Sequence, residues 1–411
     1  MIYLIDTMNR FNGGCTPVLH SFKDLAGNEK FPTNISITNH QGKLISNIRL
    51  TDYTYIPVGT PDVIHYISHS TNTCTCTCSC NAIFEVNNDI HPLVYETNGD
   101  TGFKLNQVSF KGLEDIRLIH WNDKLYGIGF RPDIIEGQVI PQLIEYNDDL
   151  TINRSWVINT HKNMEKNWQP IEDIPFTFMY DPDRSETITL NINELKEADN
   201  NAKPTIINEL NPPDFSFNLC GSSQLIKYRD GYISLCHTSH RWRSTDEKIH
   251  WQYNHYFVRY DKDLNKIWVS QPFKFVNECM EFCCGMAILN DTVYISFSMY
   301  DGINHILSYP MEGFNRLLEI LENNPDELNG NPAIPYLHDC YNVDKFQSIN
   351  PICEIVYLFA LEQVHVLDNP DRILHVLKKI NLPRRIIDAM ILYFSVRRSD
   401  NQLLLNELKK I

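Results

Sequence analysis

Lys111-Gly112-Leu113-Glu114-Asp115-Ile116-Arg117-Leu118 sets two carboxylates and a guanidinium within four residues, then runs into an apolar strand through Leu118, Ile119 and Trp121. Charges at a strand start are costly to bury unless each finds a partner. Such clusters are often where chemistry is done. Taken alone, the stretch reads more simply as a turn with a surface ion pair. Its meaning depends on whether other parts of the chain repeat it.

Polar groups recur before strands at Asn34-Ile35-Ser36-Ile37, Lys166-Asn167-Trp168-Gln169-Pro170, Gly221-Ser222-Ser223-Gln224-Leu225 and Glu281-Phe282-Cys283-Cys284-Gly285. With anchors at 34, 114, 167, 221 and 281, the steps are 80, 53, 54 and 60 residues. A four-stranded propeller blade with its turns takes about 40–50 residues. The expected fold is therefore mainly β, a five-bladed β-propeller over residues 1–311, in which polar inner-strand starts converge on one funnel.

The strand pattern supports this. Lys43–Leu50, Lys124–Phe130, Gly231–His237 and Asp291–Ser298 are short, rich in β-branched, aromatic or other apolar residues, and mostly preceded by Asn-Asp or Arg-Asp-Gly turns. Met1 to Asn12 also reads as a short strand, lacking the charged and apolar regions of a signal peptide. From Phe314 to Glu322 apolar residues switch to helical spacing. Further helical segments are expected at 351–367, after the Asp368-Asn369-Pro370 cap, at 383–396 and at 401–411. Residues 312–411 thus form an expected α-helical C-terminal extension.

The 411 residues carry a formal net charge of −15. This argues against a nucleic-acid or anionic-membrane binder, which needs a basic face. No run of eighteen apolar residues marks a membrane span. A cytoplasmic location with reduced thiols follows as the expectation. Of twelve cysteines, four alternate with Thr and Ser at Cys74, Cys76, Cys78 and Cys80. Structural zinc sites bring two cysteine pairs from separate places. With no second knuckle, residues 71–81 read as a Cys-rich polar loop insertion, without zinc.

The anchors resemble the motifs of the five-bladed β-mannoside phosphorylases and β-1,2-mannosyltransferases, proteins of the glycoside hydrolase family 130 type. That family opens one inner strand with E-D-P-R, matched here by Glu114-Asp115-Ile116-Arg117 with Ile for Pro. A K-N-W-x-P segment is matched by Lys166 to Pro170, and a Gly-rich anchor followed by a strand ending in His by Cys220–Ser223 and Cys236-His237. Tyr253-Asn254-His255 matches a Y-x-H segment, and Val293 to Asp301 resembles the terminal Y-Y-G-A-A-D-like strand. The usual G-G-T-P-P-like patch reads Gly221-Ser222-Ser223-Gln224. The resemblance covers roughly residues 30–310.

The resemblance implies an inverting enzyme of glycosyl transfer or phosphorolysis on mannose-like glycosides. Its partners would be a carbohydrate and a sugar phosphate or nucleotide sugar, with no cofactor beyond phosphate as substrate. Asp115 would be the proton donor, and burial favours a carboxyl that holds its proton. Strand alternation puts Glu114 on the other face, pairing with Arg117 or orienting backbone. Arg131, Lys166, Asn167, His237 and His255 are candidates for phosphate. Asn34, Arg49, Asp52, Tyr53, Glu114, Arg117, Glu281 and Asp301 are candidates for sugar hydroxyls, and Trp168 for stacking on a sugar face. The segment His237 to Arg243 is a candidate funnel rim. Hydrolysis is the alternative within the enzyme class. It needs a second carboxylate about 6.5–9.5 Å from Asp115, for which Glu281 and Glu165 are available. A non-catalytic glycan- or protein-binding propeller is the alternative outside that class.

Overall fold

The computed structural model describes residues 2–18, 22–23, 29–51, 53–58, 60–68, 76–86, 93–95, 109–111, 113–133, 138–158, 166–192, 219–243, 249–276, 280–328, 406 and 409–410. Their structure is mainly β, in five sheets. The first sheet is built on Glu29–His40 and Lys43–Thr51, and the second runs in order from Glu114–Trp121 through Lys124–Asp133 and Gln138–Tyr146 to Ile152–Val157. The third contains Gln169–Pro170, Thr177–Asp181 and Glu186–Thr189. The fourth is centred on Gly231–Arg243 and Ile249–Tyr260, and the fifth on Glu281–Leu289, Thr292–Met299 and Ile303–Pro310. Gly14–Val18 completes the fifth sheet by pairing with its last strand, Gly14 opposite Ser308.

Each of the five polar anchors falls in, or two residues before, the leading strand of a different sheet. Tight turns set the pairing. Asn122 and Asp123 (φ 48° and 61°) and Asn290 and Asp291 (φ 48° and 58°) form two-residue hairpins with both residues left-handed. This geometry matches the strands' twist and suits Asn and Asp. The register then places Trp121 opposite Lys124 and Leu289 opposite Thr292.

Alternation puts Ile116 and Leu118 in one core cluster with Leu113 and Ile144, and Ile119 and Trp121 in another with Phe130 and Phe178. Burying each large side chain is worth about 1.5–3 kcal/mol. Ile116, in the proline position of the motif, lies against Gly127 and Gly129. A Cβ on either glycine would come within 2.8 Å of its side chain.

Buried side-chain to backbone hydrogen bonds tie the sheets together. Asn81 Nδ2 donates to the Leu113 carbonyl, joining the first sheet to the segment leading into the second. Gln169 Nε2 donates to the Ser223 and Leu235 carbonyls, joining third to fourth. Gln224 donates to the Ile37 carbonyl and accepts from the Met286 amide, joining fourth, first and fifth. Ser296 Oγ donates to the Ile35 carbonyl. Each bond satisfies a group whose burial unpaired would cost roughly 1–3 kcal/mol.

Two expectations are corrected. The N-terminus is a strand only at Ile2–Tyr3, followed by 3-10 turns at Leu4–Thr7 and Asn9–Phe11. Residues 71–81 are not wholly a loop: Cys76–Glu85 is a strand paired with Lys43–Thr51, with Cys80 opposite Leu50. The excursion in this region is instead the hairpin of Tyr53–Val58 and Thr60–Ser68, which pairs with the fourth sheet. Cys74 and the side chains of Cys76, Cys78 and Cys80 lie outside the described residues. The expected C-terminal helices are described at Met311–Asn323, whose Phe314 packs on Tyr228, Phe257 and Tyr309. This helix therefore shares the β core. The helices expected at 351–367, 383–396 and most of 401–411 lie outside the described residues. Among the described residues, no helix is long and apolar enough to cross a membrane, and Cys15, Cys220, Cys236, Cys283 and Cys284 form no disulfide.

Candidate active site

The leading strands of the first, second and fifth sheets share one irregularity. Register shifts occur between Thr33 and Ser36, between Glu114 and Arg117, and between Cys283 and Gly285. Asn34 and Asp115 sit in the first two with φ of 50° and 52°, a left-handed conformation these two residue types tolerate. A bulge re-aims side chains. Glu114 and Asp115 therefore do not diverge as alternation expects, because one guanidinium meets both. Arg49 Nη2 is 2.7 Å from Glu114 Oε1, and Arg49 Nη1 is 3.7 Å from Asp115 Oδ1.

Arg117 is not the partner of Glu114. It is fully buried and donates to the Ser222 carbonyl at 2.5 Å, the Gly221 carbonyl at 3.2 Å, the Asp115 carbonyl at 3.2 Å and Asn167 Oδ1 at 3.1 Å. A planar fork suits this spread of acceptors. Gly221 is required there: a Cβ would lie 2.3 Å from the Asn167 carbonyl oxygen. Arg117 thus locks the bulge that presents Asp115 onto the third and fourth sheets.

The Asp115 carboxylate keeps 17% of its side chain exposed and accepts a 2.7 Å bond from Asn34 Nδ2. Asn34 is oriented in turn, since its Oδ1 accepts the Ser298 hydroxyl at 2.6 Å and the Thr33 hydroxyl at 3.1 Å. Thr33 also reaches Asp301 Oδ1 at 3.2 Å. Asp301 stands at a left-handed corner (φ 48°) after Met299, on the fifth sheet. Burial, and the nearby Asp115 and Glu114 charges, push its carboxyl up to about 6 against the pull of Arg49 and the Thr33 bond. Lys166, 43% exposed, lies 3.6 Å from Glu114 Oε2. Asn34, Arg49, Glu114, Asp115, Lys166 and, through Thr33, Asp301 are thereby linked through side-chain contacts from segments far apart in the chain, while Asn167 reaches the Asp115 carbonyl by way of Arg117.

Other candidates are placed elsewhere. Glu281 is fully buried, its two oxygens each accepting a backbone amide at 2.7 Å, from Phe275 and Val276. That leaves it as a cap for a chain turn rather than a base or sugar ligand. Trp168 is buried in the core, edge-on to Tyr180 and tilted on Phe178, so no ring face is open to a sugar. His237 is buried, shares a 2.8 Å hydrogen bond between Nδ1 and Ser222 Oγ, and packs on Tyr253 and Phe282. Burial and the Arg117 charge push it down to about 3, so it is neutral and a poor anion ligand. His255, opposite His237, is fully buried against Phe273 and Phe275 and is likewise driven well down by burial. Asp52, Glu165, and the side chains of Tyr53, Arg131 and His240 to Arg243 lie outside the described residues. Among the described residues, no group of three or more His, Cys, Asp or Glu could hold a metal ion.

Thr33, Ser298 and Ser222 escaped sequence reasoning. The one available signal was a serine recurring among buried apolar residues, as in Ile295-Ser296-Phe297-Ser298. A buried hydroxyl needs a partner.

No family model and no curated protein matches the chain. Among solved structures, it is similar to a β-1,2-mannobiose phosphorylase from Listeria innocua in complex with β-1,2-mannobiose, at 13% identity and TM-score 0.44 over 75% of this chain and 99% of that one. A mannose phosphorylase from Leishmania mexicana in complex with a phosphate ion is 12% identical over 75% of this chain and 95% of that one, with TM-score 0.42. A GDP-Man-dependent mannosyltransferase from the same organism has the same identity, coverage and score. The solved structures that the chain resembles thus include mannoside phosphorylases and a mannosyltransferase. At these identities, residue roles here rest on the geometry of this chain.

Proposed function

We propose that the protein is an inverting, carbohydrate-active enzyme that transfers or phosphorolyses mannose-like glycosyl units, with its five sheets arranged as blades of a β-propeller over residues 1–311 and a helical extension over 312–411. The observation that carries the reading is the meeting of Asn34, Arg49, Glu114, Asp115 and Asp301 around one partly exposed carboxylate. It is joined by the order and spacing of the motifs that these residues occupy. As the C1–O bond breaks, the leaving oxygen takes the proton of Asp115, and the nucleophile bonds to C1 from the opposite face, inverting the centre. A phosphate nucleophile arrives as an anion and needs no base. Arg49, Asn34 and Asp301 would contact sugar hydroxyls. Lys166, exposed at the edge of the cluster, and Arg131 would face the phosphate of a sugar phosphate or nucleotide sugar. The burial of Glu281 and its two amide bonds weigh against it as a water-activating base.

The test is an assay of wild type and Asp115→Asn with mannose 1-phosphate, with inorganic phosphate plus β-mannosides, and with a nucleotide sugar. Loss of turnover by roughly 10²–10⁴, with calorimetric sugar binding retained, supports the reading. Binding without turnover in wild type would leave a glycan-binding protein. Release of free sugar without phosphate would make it a hydrolase.

A further inference from the structure

Glu114 stands between two cations from different parts of the chain. Its Oε1 accepts Arg49 Nη2 at 2.7 Å, and its Oε2 lies 3.6 Å from Lys166 Nζ. Arg49 belongs to the first sheet, and Lys166 to the segment that leads into the third. The two cations differ in what can reach them. Arg49 keeps 5% of its side chain exposed and also lies 3.7 Å from Asp115, whereas Lys166 is 43% exposed at the edge of the cluster. Arg117 is buried on backbone carbonyls and Asn167, and burial with the Arg117 charge leaves His237 neutral. Among the described residues of this cluster, Lys166 is therefore the cation open to an incoming anion, and a carboxylate already faces it.

We propose that Glu114 is a specificity-determining residue: its carboxylate competes with the phosphate group of the substrate for Lys166, and so sets how tightly the site takes phosphate or a sugar phosphate. The inference rests on the proposed transfer or phosphorolysis, and it gives Glu114 a role other than that of a ligand for sugar hydroxyls. An ammonium attracts a carboxylate and a phosphate alike, while the two anions repel each other. A phosphate that binds Lys166 must draw it away from Glu114 or share it against that repulsion. Lysine suits such an exchange, because its charge sits on a flexible stem with three donors that can be re-aimed. Arg49 does not follow, since its buried fork is held by Glu114 and lies against Asp115 as well. Glu114 thus keeps its place while Lys166 changes partner. A neutral sugar meets no such competition, so the carboxylate weakens the hold on the phosphate end of a ligand and leaves the hold on its sugar end alone.

The decisive variant is Glu114→Gln, which removes the charge and keeps an oxygen for Arg49. Binding of inorganic phosphate, mannose 1-phosphate and free mannose is measured by calorimetry for wild type, Glu114→Gln, Lys166→Gln and the double variant. Glu114→Gln takes both phosphate ligands about two- to fivefold more tightly, the strength of a partly exposed ion pair, and binds mannose as wild type does. The gain shrinks at high salt and vanishes when Lys166 is Gln. Unchanged or weaker phosphate binding in Glu114→Gln overturns the competition. Loss of mannose binding would make Glu114 a sugar ligand and overturns it too. A gain that persists without Lys166 rejects it as well. Should Glu114→Gln not fold, Glu114→Asp draws the charge back by one methylene. It should gain less in the same direction, and no gain there counts against the proposal. The rise of the unfolding midpoint with added phosphate reads the same affinities without turnover. If neither phosphate ligand binds wild type or variant while a nucleotide sugar is turned over, this inference falls and the proposed function stands. Absence of turnover with every donor, beside a phosphate gain that depends on Lys166, removes the proposed function and keeps the competition.

Discussion

Two strand starts in this molecule carry acids that look alike in sequence and serve opposite ends. Glu114-Asp115 and Glu281 each open the leading strand of a sheet. At Glu281 the chain folds two amides, from Phe275 and Val276, onto the carboxylate, and the group disappears into the core. At Glu114-Asp115 a bulge turns both carboxylates toward Arg49 and leaves Asp115 partly in solvent with one amide bond. The difference lies in the donors nearby. Backbone amides satisfy an acid and fix it, whereas a shared guanidinium and a single side-chain amide leave an oxygen free for a substrate. Identical chemistry is structural in one place and available in the other.

The contrast is sharpest in the loss of turnover expected for Asp115→Asn. That change alters one oxygen at a partly exposed site, so its unfolding midpoint in denaturant stays near wild type. Glu281→Ala makes the opposite prediction. It leaves two buried amides unpaired at roughly 1–3 kcal/mol each, so denaturant titration shows a large stability loss, and turnover per folded molecule is kept. If Glu281→Ala folds normally and loses activity, the comparison is reversed.

Arg117→Lys follows in size. A lysine cannot span the Ser222, Gly221 and Asp115 carbonyls together with Asn167, and a loss of roughly 2–4 kcal/mol is expected from a broken buried network. Because those bonds hold the bulge, activity falls with stability. A variant that loses activity alone would mean that Arg117 contacts substrate. The smallest effect is on pH dependence. His255 is neutral in the folded chain because burial holds its proton affinity far below the ordinary imidazole value, while the unfolded chain takes up a proton near 6.5. The unfolded state binds more protons below that pH, so His255 contributes to a loss of stability as pH falls through about 6.5. His255→Phe, set among Phe273 and Phe275, should lessen the slope of unfolding free energy between pH 6.5 and 5. A steeper slope would place a charged partner beside the ring.

Much of the β architecture was legible in the chain itself. Asn-Asp pairs marked hairpins because both residues tolerate left-handed backbone, and the five polar anchors each found a separate sheet. The pairing of Glu114 was not legible. Period-two alternation assigns it to the face opposite Asp115, and a bulge breaks that period with no residue type to announce it beyond an Asp at φ 52°. The burial of Trp168 and Glu281 and the sealing of His237 were equally hidden, since each depends on partners that only the folded chain brings up: Phe178 and Tyr180 for Trp168, the Phe275 and Val276 amides for Glu281, and Phe282 for His237.

Composition, periodicity and turn chemistry are local properties, and they determined that this chain forms short twisted strands with polar starts, then a helix at residue 311. Which of those polar starts meet, and which close on backbone amides instead, was decided only in three dimensions. The reason is that the donors that meet the Glu114 and Asp301 carboxylates come from segments some 65 to 270 residues away, from Arg49 and from Thr33, whereas Glu281 is closed by the nearby Phe275 and Val276 amides only once that turn has folded onto it. A side chain's chemistry is set by the partner it is given.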